Sequence, residues 1–446
     1  MNYRIILLLA LLLMTFSASG EGNREQRFPK ETHSGGSRNS GMALWADVHG
    51  AGAQRSDPKS GDASEYANGF GPQGDARRIN NMVRPVRLIS SEDLPYPLVD
   101  TGQRSRYDNF NAVADSTRFP GQDADYENLP PSYTDNGDGT VSDNVTGLMW
   151  QQDPGEKMTW SEASDAVGSF RLGGYNDWRI PTIKELYSLI LFTGTDVDPK
   201  AEKGGTPFIN TEYFQFTYGD TGNNERVIDS QYMSSTLYVS TTMGRNKTVF
   251  GVNFADGRIK GYPVSRPETG KEKEFFVLFV RGNPDYGRND FIDNGDGTVT
   301  DIATGLMWLE EDSGPMNWRD ALVYCDSLEY AGYDDWRLPD AKELQSLVDY
   351  SRSPDTTDSP AVDPLFSCTP ITNEAGKTDF GYYWSSTTHV SSAGRNAGSS
   401  AVYISFGRAM GNMASLSGNP KQTSSFHEPP PGRQPNNYIK GSYAYD

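Results

Sequence analysis

Histidine and cysteine are scarce in this chain of 446 residues, which narrows the chemistry open to it. The four histidines are His33, His49, His389 and His427. None has a metal-ligand spacing or an obvious nucleophile partner, so we predict that the protein is not an enzyme and keep catalysis as a distant alternative. The two cysteines, Cys325 and Cys368, either form one disulfide or stay as unpaired thiols, and the sequence leaves both open.

Apolar residues and positive charge are also in short supply. Hydrophobic residues make up 35% of the chain, below the usual globular range, so long loops and some disorder are expected. The 59 acidic residues outnumber the 40 basic ones, which gives a net charge of −19. A field of this sign repels polyanions and therefore argues against nucleic acids and anionic membranes as general partners.

Long apolar runs are missing after the N-terminus. Arg4 precedes an apolar run from Ile5 to Met14, and Ala18-Ser19-Gly20 offers small residues for cleavage. This run is too short to span a bilayer, no later segment is apolar enough to do so, and no cysteine follows for a lipid anchor. We predict a signal peptide over residues 1–20 and export to the periplasm, cell surface or medium. Residues 21–42 and 413–446 are polar and are expected to be disordered.

The chain contains an internal duplication. DNGDGTVSDNVTGLMW begins at Asp135, and DNGDGTVTDIATGLMW begins 158 residues later at Asp293. The same offset relates Trp150 to Trp308, Trp160 to Trp318, Trp178 to Trp336, and Lys184-Glu185-Leu186 to Lys342-Glu343-Leu344. A constant offset through so many landmarks predicts two homologous domains, residues 132–283 and 290–412. Residues 89–131 are expected to form a linker that lies on the first domain.

Each repeat predicts an α+β domain with two helices and a small sheet. The expected helix N-termini are Thr159 with Glu162, Thr182 with Glu185, Asn317 with Asp320, and Asp340 with Glu343. Strands are predicted near residues 140–141, 147–150, 248–254 and 400–406, and the first repeat closes with a β-prone run over 274–281. We also expect Asp177 to pair with Arg179, and Asp335 with Arg337, around a tryptophan.

The second repeat has no run that matches residues 274–281. Near the N-terminus, however, VRPVR resembles FVLFVR, although Pro85 would confine a strand there to a sheet edge. We predict that residues 43–88 are a displaced segment in which Ile79 to Arg87 completes the second domain. In this hypothesis Val83 and Val86 contact the strand around Val402 to Phe406. The alternative is an unattached remnant.

The repeated motifs, followed by GYxDWRxP and KEL, resemble the Lcl C-terminal domain family over most of both repeats. The resemblance implies a C-type lectin-like fold in each domain, with two helices and a twisted, mostly antiparallel sheet, related to formylglycine-generating enzymes. WADVHGAGAQRSDPKSGD also resembles family sequence, where it usually ends a domain. Family members often have a cysteine where this chain has Pro85, so the disulfide that the resemblance implies for Cys325 lacks its usual partner.

Two kinds of binding chemistry are candidates. The aspartates of the repeated turns are Asp135, Asp138, Asp143, Asp293, Asp296 and Asp301. Their hard oxygen atoms suit calcium, although the EF-hand spacing is missing and a purely structural turn is the alternative. Exposed aromatic rings suit sugars; six of the eight tryptophans sit at repeated positions typical of a core, which leaves Trp45 and Trp384 as freer candidates.

The leading functional prediction is an exported, non-catalytic binding protein or adhesin for an extracellular glycan or surface protein. The alternative is a structural protein of the envelope or biofilm matrix without a specific small ligand. The resemblance extends to an adhesin that binds sulfated glycans, but a net charge of −19 makes a sulfated polyanion a poor ligand. The Glu-Pro-Asn and Trp-Asn-Asp signatures of calcium-dependent lectins are absent. The sequence does not indicate an oligomeric state.

Overall fold

A computed structural model describes residues 45–91, 93–113, 119–266, 269–392 and 394–413. The predicted signal peptide, residues 21–42 and nearly all of the predicted disordered tail lie outside these ranges. The displaced segment contains β1 (Trp45–Asp47), β2 (Gln54–Pro58), a 3-10 turn (Ala63–Tyr66) and β3 (Val86–Leu88). The linker contains β4 (Arg106–Tyr107), β5 (Ala112–Val113) and a 3-10 turn (Asp123–Asp125).

The two domains follow in tandem, and both combine short helices with small antiparallel sheets. The first domain contains β6 (Tyr133–Asp135), β7 (Thr140–Asp143), β8 (Leu148–Gln151), β9 (Met158–Thr159), α1 (Trp160–Val167), α2 (Ile183–Ser188), β10 (Gln231–Leu237), β11 (Thr248–Asn253), β12 (Arg258–Pro263), β13 (Glu274–Phe275) and β14 (Val280–Gly282). The second contains β15 (Phe291–Asp293), β16 (Thr298–Asp301), β17 (Leu306–Leu309), α3 (Trp318–Asp326), α4 (Ala341–Ser346), β18 (Pro370–Thr372), β19 (Thr378–Phe380), β20 (Tyr382–Thr388), β21 (Ser400–Ser405) and β22 (Met410–Asn412). The fold class is therefore α+β with two tandem domains.

The helices begin where the capping pattern predicts. In α1 the Thr159 hydroxyl accepts a hydrogen bond from the Glu162 amide, while the Glu162 carboxylate accepts one from the Thr159 amide. The same reciprocal box starts α2 and α4. Asn317 caps α3 with its side-chain oxygen. Such caps satisfy amides that a helix leaves without partners, each stabilising the helix by about 1 kcal/mol.

The displaced segment supplies the edge strand of a sheet in the second domain. The four-stranded sheets have the orders β14-β8-β7-β6 and β15-β16-β17-β3. Val86 of β3 pairs with Trp308, as Val280 of β14 pairs with Trp150 in the first domain. The partner of residues 86–88 is therefore β17 and not the strand around Val402 to Phe406.

The strand β2 takes the place beside that other strand. It pairs with β21 on one side and with β12 of the first domain on the other. The result is one six-stranded sheet, in the order β10-β11-β12-β2-β21-β20, that runs through both domains. The sheet consists of two equivalent halves, because β10, β11 and β12 of the first domain correspond to β20, β21 and β2.

The two ends of the described chain meet in an antiparallel pair. Trp45 of β1 lies opposite Asn412 of β22, and Asp47 lies opposite Met410. In the first domain, a turn around Asp256 and Gly257 connects β11 directly to β12. The equivalent strands of the second domain are β21 and β2, which come from opposite ends of the described chain. The second domain is therefore circularly permuted, with its chain opened between β21 and β2.

The helices α2 and α4 contact each other reciprocally at the domain interface. Lys184 Nζ donates to the carbonyl oxygen of Ser346 at 2.7 Å, and Lys342 Nζ donates to that of Ser188 at 2.9 Å. Lys342 is buried and Lys184 is partly buried, and desolvation of the two ammonium groups lowers the pKa of each to about 8. The KEL motif thus holds the two domains together through equivalent contacts.

The linker contacts both domains, so the prediction that it lies on the first domain is wrong in part. The Thr101 carbonyl oxygen accepts a hydrogen bond from the Phe192 amide of the first domain. The Asn128 side chain donates to Asp340 and Glu343 of the second domain. The linker therefore spans the interface.

Residues 274–281 do not form the single strand that was predicted. Glu274–Phe275 pairs with β9 and Val280–Gly282 with β8, because the run crosses from one neighbour to the other. The residues between them pack into the core instead: Phe276 to Phe279 are all buried. Within the described ranges, no helix is long and apolar enough to cross a membrane.

Candidate functional site

The aspartates at the tips of the repeated turns accept hydrogen bonds from their own turns. The Asp135 carboxylate accepts from the Gly137 amide at 2.8 Å, and Asp138 accepts from the amide and hydroxyl of Thr140. Asp293 and Asp296 make the same contacts in the second domain. These bonds account for the turn geometry without a cation.

The remaining two aspartates of the calcium prediction are buried behind the turns. Asp143 accepts from the amides of Val145 and Thr146, and burial raises its pKa. Asp301 accepts from Asn289 and from Thr304 at 2.7 and 2.8 Å. Among the residues that the structure describes, no three histidine, cysteine or acidic side chains converge as metal ligands. Calcium binding stays a prediction without an assembled ligand set.

The two cysteines are free thiols in the structure. Cys325 lies on the buried face of α3, where burial raises its pKa. Cys368 lies 3.5 Å from the Arg84 guanidinium, which donates to its sulfur. Of the two states that the sequence left open, the structure has the unbridged one.

Both histidines in the described ranges lie in a buried network at the seam between β2 and β12. The His49 ring is 2.9 Å from Asp75 and 3.0 Å from Arg55. His389 contacts the carbonyl oxygen of Asp256 at 2.9 Å and stacks on Phe208 with 5.4 Å between ring centroids. Burial, aided by nearby arginines, lowers the pKa of each histidine to about 4. Because both rings are buried and contact protein groups on each side of the seam, we assign them a structural role at the domain interface.

The GYxDWR connectors form a repeated surface cluster. Arg281 stacks on Tyr175 at 3.7 Å and pairs with Asp177, while Arg87 stacks on Tyr333 at 3.8 Å and pairs with Asp335. The expected pairs within the connector are therefore wrong: Arg179 contacts Glu185, and Arg337 contacts Glu343. The reason is that each arginine lies beside the capping glutamate of the next helix.

Of the two freer tryptophans, Trp384 is fully buried, so it cannot stack on a ligand. Trp45 is partly exposed and lines an open cavity of about 1140 Å³. Its lining includes Trp45, Tyr66, Arg77, Asn80, Asn109 and Arg319. They bring aromatic rings, carboxamides and guanidinium groups to one surface.

The displaced segment builds most of this cavity. Residues 59–80 follow β2 on the way to β3 and form one wall of the cavity. In the first domain the equivalent connection, which follows β12, is shorter and covers residues 264–273. Asp62 starts this wall by capping a 3-10 turn through the Ser64 amide at 2.9 Å. Opposite, Asn317 and Arg319 project from the N-terminus of α3.

One arginine of the wall is held firmly in place. Arg78 pairs with Glu374 through two hydrogen bonds of 2.9 and 3.0 Å, and its guanidinium stacks on Tyr382 at 3.8 Å. Bidentate pairing and stacking together restrict the side chain to one orientation. The cavity wall is therefore preorganised beside Arg77.

Sequence reasoning singled out Trp45 but missed the cavity. Its lining comes from residues 45, 60–80 and 109 and from the second domain at 317–320 and 374. The one available signal was the extra length of the displaced segment between β2 and β3 relative to its counterpart.

The fold and cavity define a two-domain α+β protein with a polar, aromatic-lined surface recess. The model of the Lcl C-terminal domain family matches residues 139–281 and 297–425, which is more than half of the chain. The chain belongs to this family and carries two copies of its domain. No curated protein and no solved structure matches the chain.

Proposed function

We propose that the protein is an exported, non-catalytic binding protein that recognises an extracellular glycan in the cavity beside α3. The observation that carries the proposal is the lining, in which Trp45 and Tyr66 stand beside Asn80, Asn109 and arginine side chains. Aromatic faces suit the apolar faces of sugar rings, and carboxamides both donate to and accept from hydroxyl groups.

The size and openness of the recess agree with an extended ligand. Its volume of about 1140 Å³ slightly exceeds the range of about 300–1,000 Å³ typical of small-molecule sites. Export, which the N-terminal sequence predicts, would place this recess where glycans of cells or matrix are available.

A binding role also agrees with how the acidic groups of the cavity are used. Glu374 pairs with Arg78, Asp62 caps the 3-10 turn, and Asp320 accepts from the Asn317 side chain. These carboxylates have structural partners, and neither histidine of the seam lines the recess. The aromatic, carboxamide and guanidinium groups of the lining are then the ones that can contact a ligand.

The test is a glycan array probed with the mature chain, with calcium and with a chelator. We expect saturable binding that Trp45→Ala and Tyr66→Ala weaken at least tenfold, while the matched control Tyr175→Ala, an exposed tyrosine of the first domain, leaves it unchanged. If both cavity variants bound the glycan as tightly as the unmodified chain does, the binding site would lie outside this cavity. Absence of binding to any glycan would favour the matrix role instead.

A further inference from the structure

We infer that the cavity takes an acidic sugar, and that Arg77 binds its carboxylate. This inference rests on the proposed function and adds to it the chemical class of the ligand. It starts from a difference between two neighbouring arginines in the same wall: Arg78 forms a bidentate pair with Glu374, whereas Arg77 pairs with no carboxylate among the described residues.

The Arg77 guanidinium is positioned by aromatic rings. It stacks over Phe70 at 3.8 Å and lies 5.7 Å from the centroid of Tyr66, and these two rings pack edge to face. Stacking orients the planar group while leaving its N–H donors along the edge available. The side chain therefore faces the recess in a defined plane.

No protein acceptor satisfies those donors. Among the described residues, Arg77 makes no hydrogen bond and no ion pair, although it is partly buried and its pKa is lowered by burial. A partly desolvated guanidinium without an acceptor is costly unless a ligand or water completes it. A carboxylate offers two parallel acceptors that match the guanidinium fork.

Asp57, the carboxyl group with the largest electrostatic effect on Arg77, does not fill this role. Asp57 influences Arg77 electrostatically, but its Oδ2 accepts from the Arg78 amide at 3.1 Å and from Asn81 at 3.2 Å. Burial raises the pKa of Asp57 to about 7, so its charge compensates Arg77 only in part at neutral pH. A positive site is left open toward the recess.

The surroundings favour one carboxylate over a dense polyanion. Asp62, Asp320 and Glu374 also line the cavity, and the whole chain has a net charge of −19. Several sulfate groups would meet these carboxylates, since like charges at close range repel. A sugar with a single carboxylate and otherwise neutral hydroxyl groups avoids that repulsion while it satisfies Arg77.

The experiment compares paired probes that differ in one charge. Oligosaccharides of uronic acids and of sialic acid are each tested beside their methyl esters by titration calorimetry on the mature chain. We expect at least one free acid to bind ten times or more tightly than its ester. Arg77→Gln should remove this preference, so that acid and ester then bind with similar affinity, and Arg77→Lys should retain only part of it because an ammonium lacks the planar fork.

The matched control is Lys271→Gln, which removes one positive charge at the equivalent position of the first domain: Lys271 lies as far before Val280 as Arg77 lies before the matching Val86. It should keep the acid preference, and circular dichroism should confirm that both variants fold. Equal binding of acid and ester, with no effect of Arg77→Gln, would refute the inference and leave glycan binding intact. Binding of no glycan would refute both, and an Arg77-dependent preference for sulfated over carboxylated sugars would refute the carboxylate assignment.

Discussion

Gln54 and Ile259 pair with each other across the domain seam, and they occupy the same position in the two domains. Ile259 pairs with Val252 of β11, just as Gln54 pairs with the corresponding Ile404 of β21. A local two-fold axis therefore passes through this pair. The domains associate as the subunits of a symmetric dimer do, with the same surface used on both sides.

The reciprocal lysines of this interface should be structural. Lys342→Met removes the buried donor to Ser188 and Asp100, and leaves two carbonyl oxygens without a partner. We expect the free energy of unfolding to fall by about 1–3 kcal/mol, measured by urea denaturation. The exposed Lys203→Met serves as control, with a change within about 0.5 kcal/mol. Equal stabilities of the two variants would contradict the role of Lys342.

Joining the two ends of the described chain should give a folded protein. Because Trp45 lies opposite Asn412, a short glycine-rich turn can link them, with new termini opened between Phe110 and Asn111 in the linker. We expect the circular dichroism spectrum to be kept and the melting temperature to change by only a few degrees. A permutant opened after Ser346 at the end of α4 is the control and should not fold. If the permutant opened in the linker did not fold, the circularly permuted arrangement of the second domain would be contradicted.

The two surface clusters should contribute equally to stability. Arg87→Ala and Arg281→Ala each remove a stacked guanidinium and an exposed ion pair with equivalent partners. We expect each to lower the free energy of unfolding by about 1 kcal/mol in guanidinium chloride titrations. A much smaller loss for Arg87 would mean that the displaced segment is held less firmly than its counterpart.

Protonation of His389 should destabilise the protein in mild acid. Burial lowers its pKa from 6.5 to about 4, so between these values the unfolded chain binds a proton that the folded ring does not. The free energy of unfolding therefore falls as the pH falls through this window, by on the order of 3 kcal/mol from this group. Replacement by phenylalanine keeps the stacking on Phe208 and removes the titration.

The measurement for His389 is the difference in acid slope between His389→Phe and the wild-type chain. Comparing slopes is necessary because burial raises the pKa of Asp47, Asp57 and Asp123 to about 7. These carboxyl groups take up protons more readily in the folded state, so they add stability as the pH falls and oppose the histidine. If the free energy of unfolding had the same pH dependence in both chains, His389 would not be the source of the acid destabilisation.

Local signals predicted the elements well. Thr159 with Glu162 and Asp340 with Glu343 mark helix starts because capping involves residues three positions apart. The run 274–281 was harder, because its β propensity is uniform while its strand partners change midway. Propensity describes one chain segment, and pairing depends on what lies beside it.

The candidate site was much less predictable. Trp45 and Trp384 looked alike in sequence, yet one lines the cavity and the other is fully buried. The difference follows from their neighbours: β1 lies beside β22 near the end of the described chain, whereas β20 packs against α3. Arg77 and Arg78 are adjacent in sequence, but Arg78 pairs with Glu374 and stacks on Tyr382, whereas Arg77 stacks on Phe70.

By itself, the sequence determined that the chain carries two homologous α+β domains with capped helices and Asp-Asn-Gly-Asp-Gly turns, since these depend on contacts within a few residues. The tertiary structure was needed to show that Gln54–Pro58 joins the second domain to β12 of the first, that Val86–Leu88 pairs with β17, and that residues 59–80 form a cavity wall. These features depend on backbone hydrogen bonds and packing between distant segments, which no local periodicity encodes.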